Sequence, residues 1–357
     1  LEAALHADNV PVAVYTNLIG SVHEQLDLLH RYLDLRQRVL GLDTLHMYDL
    51  HVPLVAETAA VLPYDEATRT VLSAIAPLGA TYQAAAATGL ASRWVDVYET
   101  PNKRSGAYSW GGYDTAPYML LNYQETLNDV FTLAHELGHA MHSYFTRRTQ
   151  PFVYGHYTIF VAEVASTLNE ALLTHHLLQT TTDPHLRLAI VNNTLDTFRG
   201  TLFRQTMFAE YEKLTHEAAE SGQALTADRL SEIFFDLNKR YHGPSGAIDE
   251  AIAIEWARVP HFYRSFYVYK YATGIAASHA LAQQIIHEGA PAVERYLRFL
   301  SRGNSAYSID LLRDAGIDMT APGPVIQALE VFGSLLDEME GLLTQTGVLT
   351  PPAAPGG

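Results

Sequence analysis

The sequence predicts a mainly α-helical protein of many helices with one small β-sheet or hairpin. Apolar residues recur every three or four positions over most of the 357 residues, which is the period of a helix with one buried face. One stretch, 101–123, breaks this pattern with glycine, proline and aromatic residues. At this length the chain can bury a sizeable core without covalent cross-links.

Charge and composition exclude several kinds of function. Lys and Arg total 23 against 39 Asp and Glu, and because no basic block interrupts this excess we expect no nucleic-acid partner. No apolar run reaches the roughly 18 residues that a membrane span needs. Cysteine is absent, which excludes disulfides, thiolate ligands and a cysteine nucleophile, and fits the cytoplasm, where we expect the protein. Any metal must therefore be bound by carboxylates and by some of the 17 histidines.

The first helical stretch follows Pro11 and ends at Gly41, with apolar side chains at three- and four-residue steps between them. A chain that enters a helix so early is expected to be part of a longer protein. The next segments are predicted to be extended over 45–52, helical over 66–76 and 80–88, and extended over 94–98.

The segment 101–123 predicts a β-hairpin with a glycine-rich tip at Gly111 and Gly112. Its second strand is expected at 118–123. Two interpretations of the many aromatic residues in this hairpin remain open. They could pack on a small sheet, or they could mark a sheet edge that pairs with an extended peptide.

Long helices are predicted for most of the rest of the chain. They cover 126–146, 157–181, 184–219, 226–240, 247–257, 263–288, 290–301 and 323–345. We expect one domain over 1–345 and a disordered tail over 346–357, which is rich in proline and glycine.

The helix after the hairpin contains the pattern His-Glu-x-x-His, formed by His135, Glu136 and His139. Residues four apart lie one turn apart on the same helix face, so two imidazoles can bind one tetrahedral ion while the glutamate stands beside it to transfer protons. The neighbouring residues are apolar, and polar side chains in a buried helix are costly without a purpose. The sequence therefore predicts a metal centre here.

A catalytic zinc site needs a third protein ligand. The metzincin pattern is excluded, because the positions that require glycine and histidine hold His142 and Phe145. Glu163 stands alone in an apolar run of the next predicted helix, where a buried carboxylate requires a cation. His142 and His156 remain rival ligands.

Glu170 falls seven residues after Glu163, on the same helix face. It could orient a ligand histidine through a hydrogen bond, or it could form a surface ion pair. Both interpretations remain open.

Four motifs closely resemble the oligoendopeptidases F of the thimet oligopeptidase family of zinc metallopeptidases, and the resemblance extends from about residue 8 to 340. The motifs are 102–110 (Asn-Lys-Arg-Ser-Gly-Ala-Tyr-Ser-Trp), 135–142, 160–170 and 261–274. The resemblance implies a zincin-like catalytic domain, and the order of the motifs predicts two lobes around a cleft. It also implies one Zn²⁺ ion, ligands at His135, His139 and Glu163, and a catalytic base at Glu136. The N-terminal helical lobe of that family is expected to be missing from this sequence.

A zinc peptidase also needs donors that stabilise the oxyanion formed at the peptide carbonyl. The resemblance indicates His261 and a following tyrosine, with Tyr269 as the best match and Tyr263 and Tyr267 as alternatives. On one continuous helix Tyr263, Tyr267 and Tyr271 would share a stripe while Tyr269 lies nearer His261, so they cannot all face one ion. Some of them must belong to the core.

Substrate contacts are expected at the hairpin and at one loop. The hairpin residues would align the peptide backbone, and His242 lies in a loop that resembles a family loop near the substrate. The expected hairpin contacts are Ser105, Gly106, Ala107, Tyr108, Gly111 and Gly112.

The sequence thus predicts a zinc-dependent endopeptidase of the EC 3.4.24 type that hydrolyses short oligopeptides with Glu136 as general base. Two alternatives remain. One is a carboxypeptidase or dipeptidyl carboxypeptidase of the same zinc class, and the other is an inactive peptide-binding fragment with a structural zinc. The cleavage preference and the oligomeric state are left open.

Overall fold

Helices dominate the structure, a computed structural model that describes residues 1–55, 61–244 and 246–349. The α-helices of these residues are α1 (Glu2–His6), α2 (Val12–Glu24), α3 (Leu26–Leu40), α4 (Tyr64–Ala74), α5 (Gly79–Leu90), α6 (Leu127–Thr149), α7 (Ile159–Thr180), α8 (Pro184–Phe198), α9 (Arg204–Glu220), α10 (Ala227–His242), α11 (Tyr269–Glu288), α12 (Ala290–Leu300), α13 (Ser308–Asp314) and α14 (Gly323–Gln345). Among these helices, none is long and apolar enough to cross a membrane.

Two small sheets accompany the helices. The strands are β1 (Leu45–His46), β2 (Val95–Asp96), β3 (Tyr108–Trp110), β4 (Tyr118–Leu120) and β5 (Gly246–Ala247). In the larger sheet β4 lies in the middle, parallel to β2 and antiparallel to β3, with Tyr108 opposite Leu120. The predicted hairpin is therefore confirmed, and β3 is an edge strand of the described sheet. The other sheet joins β1 and β5 in parallel.

Several predicted elements differ from the structure at their ends or in type. The stretch after Pro11 is two helices that meet at Gln25, whose φ of −123° is not helical. Only the first two residues of 45–52 are extended, and a 3₁₀ helix, Met47–His51, follows. The predicted helix 247–257 is also a 3₁₀ helix, Glu250–Arg258. The predicted helix 184–219 is interrupted by a π-helical segment, Arg199–Phe203.

The largest difference lies before α11, which begins at Tyr269 instead of residue 263. Phe266 has a φ of +57°, a left-handed conformation that ends any helix. Its backbone N–H donates to the buried carboxylate of Glu212 on α9, over 2.8 Å. This contact between distant parts of the chain holds the segment before α11 out of the helix. A short 3₁₀ helix, Pro260–Tyr263, precedes it.

The core centres on α11, which packs against α7 and α14, while α6 also packs against α7. At the end of α14 the N–H groups of Val348 and Leu349 donate to the carbonyl oxygen of Leu343. Those two residues belong to the predicted tail, whose residues 350–357 lie outside the described residues. The division of 1–345 into lobes stays a prediction.

Helices α6 and α7 touch backbone to backbone at Gly138, inside the His-Glu-x-x-His pattern. A Cβ atom at Gly138 would lie 2.5 Å from the carbonyl oxygen of Ala165 and 2.6 Å from the Cα of Ser166. Only glycine allows this approach, and it brings Glu163 of α7 to the histidine face of α6.

We expect Gly138→Ala to destabilise the protein by about 1–3 kcal/mol or more, because the added methyl group forces the two helices apart. In an ordinary helix the same change stabilises by about 1 kcal/mol. Gly20 in α2 is the matched control, since a Cβ there meets nothing within 4 Å. Chemical denaturation of both variants checks this. Equal or greater stability of Gly138→Ala would contradict the proposed close packing.

Candidate metal centre and active site

Helix α6 carries the two histidines, and its N-terminus is fixed by a capping box. Thr126 caps the helix and accepts a hydrogen bond from the N–H of Asp129, whose carboxylate accepts the N–H of Thr126 in return. One turn of helix separates His135 from His139, and their Nε2 atoms lie 3.2 Å apart. The spacing in the sequence thus places both imidazoles at one point.

Glu163 of α7 completes a triangle with these nitrogens. Its Oε2 atom lies 3.5 Å from Nε2 of His135 and 3.6 Å from Nε2 of His139. Ligands at about 2.0–2.1 Å from a tetrahedral ion are about 3.4 Å apart, so the three atoms have the separation that one such ion requires. Ser166 donates its hydroxyl to the same Oε2, over 3.1 Å, and so orients the carboxylate. These are the residues of the described chain that could hold a metal ion.

Glu170 contacts the ring nitrogen of His135 that faces away from the metal position. Its Oε1 atom lies 2.5 Å from Nδ1 of His135, which favours the orienting role over the surface ion pair. When the ring is neutral and binds a metal ion, its proton lies on Nδ1 and is donated to Glu170, so that the lone pair of Nε2 points towards the metal. This carboxylate therefore fixes both the tautomer and the ring.

We expect Glu170→Gln to weaken the affinity for Zn²⁺ by about 10–100-fold, because the amide holds the tautomer of His135 less firmly. Competition against a coloured chelator measures this affinity. Glu217→Gln is the control, since Glu217 pairs with Lys213 on the surface of α9. An unchanged affinity in Glu170→Gln would show that Glu170 does not support the ligand.

Electrostatics make this centre a site for a cation. Burial lowers the pKa of His135, but the hydrogen bond and the charge of Glu170, with Glu163 and Glu136, raise it to about 9. Burial and the charge of His135 lower the pKa of His139 to about 4, since two rings in contact cannot both be charged. Three carboxylates thus surround two imidazoles. A divalent cation would balance this excess of negative charge.

Glu136 is placed as a general base should be. Its side chain is 6% exposed, and burial raises its pKa to about 7, partly offset by His135 and by the N–H of Ser109 on β3. Its Oε2 atom is buried with no hydrogen-bond partner among the described residues. A bound cation would lower the pKa again. A buried carboxylate with a free oxygen beside the position of the metal can accept a proton and return it.

A cleft of about 510 Å³ opens over the metal centre, between α6, β3 and the segment before α7. The described residues that line it are Ala107, Tyr108, Ser109, Trp110, Gly111, His135, Glu136, His139, Ser143, Arg147, Gly155, His156, Tyr157, Ile159, Ala162 and Glu163. Three of the six expected hairpin contacts are in this set, and Ser105, Gly106 and Gly112 flank them. The carbonyl of Gly106 accepts the amide of Asn122.

The aromatic side chains of β3 do not pack in a core. Trp110 is 78% exposed and Tyr108 is 44% exposed, although both belong to a strand beside the cleft. This arrangement favours an edge that receives an extended peptide over simple packing on the sheet.

The structure brings His261 together with two tyrosines. The ring centroid of His261 is 5.9 Å from that of Tyr267 and 6.0 Å from that of Tyr271, and the two hydroxyl oxygens are 3.2 Å apart. Burial raises the pKa of Tyr271, as do Tyr267 and the charge of Glu163. Gly274, one turn further on, would place a Cβ atom 3.3 Å from the Cβ of Glu163. Tyr271 therefore lies on the side of α11 that approaches the metal centre.

Three expected site residues lie elsewhere. Tyr269 is 1% exposed and packs between Tyr15 and Phe160, because α11 begins at this residue and turns it inward. Tyr263 is 87% exposed and lies in the 3₁₀ helix before Phe266. His242 ends α10, where its Nδ1 contacts the carbonyl oxygen of Asn238, and it does not line the cleft.

The two rival histidines do not join the metal triangle. His142 is 1% exposed and stacks on Tyr157, with ring centroids 3.7 Å apart, and burial lowers its pKa to about 3. His156 lines the cleft but packs against Phe152.

Three further residues near the site could not be selected from the sequence alone: Arg147, Tyr157 and Tyr271. Tyr157 donates to the carbonyl oxygen of His139 over 3.4 Å and contacts the hydroxyl of Ser143 over 2.9 Å. The glycine at 274 is the sequence signal that could have favoured Tyr271. The position of Arg147, two turns after His139, could have placed it along the same cleft.

Comparisons with known proteins agree on one family. The profile of peptidase family M3 matches residues 1–331. The chain is 52% identical to oligopeptidase PepF of Bacillus subtilis over 96% of its length and 51% of that protein, and 46% identical to group B oligopeptidase PepB of Streptococcus agalactiae over 96% and 57%. The crystal structure of oligoendopeptidase-F from Enterococcus faecium aligns with a TM-score of 0.78 and 38% identity, over 96% of this chain and 55% of that one. The chain thus spans about half the length of the relatives it matches.

Proposed function

This chain belongs to peptidase family M3, and from that membership we propose that it acts as a zinc-dependent endopeptidase on short peptides. The observation that carries the proposal is the triangle of His135, His139 and Glu163 with the buried base Glu136 beside it. The names of the relatives support the choice of oligopeptides as substrates. The cytoplasmic location stays a prediction.

Zinc suits the donors of this site. Two imidazole nitrogens and one carboxylate oxygen form a set used by catalytic zinc, and the separations of 3.2, 3.5 and 3.6 Å fit one tetrahedral ion. A zinc ion held by His135, His139 and Glu163 would supply a Lewis acid that lowers the pKa of a water molecule and polarises a carbonyl oxygen.

The protein residues would then divide the work of hydrolysis. Glu136 would accept a proton from the attacking water and return it to the leaving amine, and its burial opposes the lowering of its pKa by a bound cation. The edge of β3 aligns the peptide backbone across the cleft. His261 with Tyr267 or Tyr271 donates hydrogen bonds to the oxyanion, a role for which these two tyrosines are better placed than the buried Tyr269.

A quenched fluorescent peptide that is blocked at both ends tests the endopeptidase assignment. An endopeptidase cleaves it, since neither terminus is needed. Cleavage only of peptides with a free C-terminus would instead support the carboxypeptidase or dipeptidyl carboxypeptidase alternative. Peptide binding without cleavage in the presence of zinc would support the inactive fragment.

A further inference from the structure

The cleft over the metal centre contains one cationic side chain that the proposed reaction does not use. Of the described residues that line the cleft, Arg147 alone is a lysine or an arginine. It lies on α6 eight residues after His139, near the end of the helix. The chain as a whole carries a net charge of −16, so this cation stands out against an excess of acidic residues.

The guanidinium of Arg147 is held but not neutralised. Its Nη1 atom donates to the carbonyl oxygen of Gly112 over 3.1 Å, and a Cβ at Gly111 would lie 3.0 Å from the same nitrogen. Among the described residues no carboxylate forms an ion pair with it, and its Nε atom is buried without a partner. Burial lowers the pKa of Arg147. A half-buried cation without a counterion is unfavourable, and an anion bound in the cleft would relieve this cost.

The chemistry of the cleft favours a carboxylate as that anion. The carboxylates of Glu136 and Glu163 face the histidines, where a metal ion would balance them. A guanidinium binds planar carboxylates with two parallel hydrogen bonds, and a peptide carries such groups at its C-terminus and on Asp and Glu side chains.

Two estimates give the distance between this cation and the reacting bond. Eight residues of helix separate His139 from Arg147, which is about 12 Å. On the hairpin side, Ser109 lies beside Glu136 and Gly112 beside Arg147, and a peptide in extended conformation covers about 10 Å with three residues. A peptide that lies along β3 would therefore reach Arg147 about three residues from the metal centre.

We propose that Arg147 binds a carboxylate of the peptide substrate about three residues from the scissile bond. This inference rests on the proposed function, since it assigns a specificity to the same cleft. The carboxylate comes either from the C-terminus of the peptide or from an Asp or Glu side chain, and the two sources can be separated by experiment.

Peptide binding to zinc-loaded Glu136→Gln protein, measured by fluorescence anisotropy, tests the proposal without cleavage. A set of peptides carries Glu or Gln in turn at the second, third and fourth residue on each side of the scissile bond, each with a free or an amidated C-terminus. If Arg147 binds a side chain, the peptide with Glu at one of these positions binds about tenfold tighter than the peptide with Gln there, and amidation of the C-terminus does not change the affinity. If Arg147 binds the C-terminus, amidation weakens the affinity about tenfold, and peptides with Glu bind no tighter than those with Gln.

Arg147→Met in the same background should abolish that preference, and Arg147→Lys should keep part of it. The matched control is Arg148→Met, because Arg148 stacks on Tyr144 and does not line the cleft. A preference that survives in Arg147→Met would overturn the proposal. An equal loss of affinity for all peptides would also overturn it, because Arg147 would then only support the loop at Gly112. Cleavage of the Gln peptides by the wild-type chain tests the proposed function separately.

Discussion

Replacing Glu136 by glutamine is expected to lower kcat/KM by about 10²–10⁴-fold while the metal content stays unchanged. The amide keeps the size of the side chain but cannot accept a proton from water. Stability should be maintained, because the carboxylate is buried without a partner for Oε2 and gains little from its charge. Kinetics with a quenched peptide and metal analysis of the same sample check both parts.

Glu99→Gln provides the control for this change. Glu99 lies on the surface beside β2 and accepts a hydrogen bond only from the side chain of Gln124 among the described residues, so its loss should leave the rate unaltered. Activity of Glu136→Gln within a few-fold of wild type would contradict the assignment of Glu136 as the base. Loss of metal together with activity would show that Glu136 supports the ligand set instead.

Replacing His139 by alanine should abolish metal binding as well as turnover. The change removes one of three ligands, so the affinity should fall by more than the about 10–100-fold typical of a supporting residue. Wild-type protein should gain about 2.7 kcal/mol of stability at a zinc concentration 100 times its Kd, whereas His139→Ala should gain none. Thermal unfolding with and without zinc measures the difference.

His156→Ala is the control, because it shows whether the loss of any histidine in the cleft has the same effect. His156 lines the same cleft but lies outside the triangle of ligand atoms, so its variant should bind one zinc ion and be stabilised like the wild type. If His156→Ala lost the metal and His139→Ala kept it, the ligand set would be wrong.

The candidate metal centre could be predicted because its geometry is mostly local. The four-residue step from His135 to His139 fixes their relation on any helix. Glu163 could be selected because a single carboxylate in an apolar helix needs a partner, but the contact at Gly138 that brings the two helices together involves the chain at Ala165 and Ser166. The sequence indicated the candidate ligands, whereas the distances between them follow only from the packing of the two helices.

The structure of residues 261–271, which contain four tyrosines, could not be predicted in the same way. The apolar period continues through residues 263–268, so the pattern predicts one helix there. The actual start at Tyr269 depends on the hydrogen bond from Phe266 to Glu212, residues 54 apart in the sequence. Arg147 likewise becomes notable only when the absence of an acidic partner among the described residues is known. Tertiary contacts of this kind leave no local pattern.

The most direct test of the proposed zinc endopeptidase measures metal stoichiometry and peptidase activity on one preparation. The protein is stripped with a chelator, titrated with zinc, and assayed at each step with a doubly blocked peptide. We predict that activity disappears with the metal and returns in proportion to zinc up to one ion per chain. Full activity in the stripped protein, or a chain that binds one zinc ion and cleaves nothing, would contradict the proposal of a zinc endopeptidase.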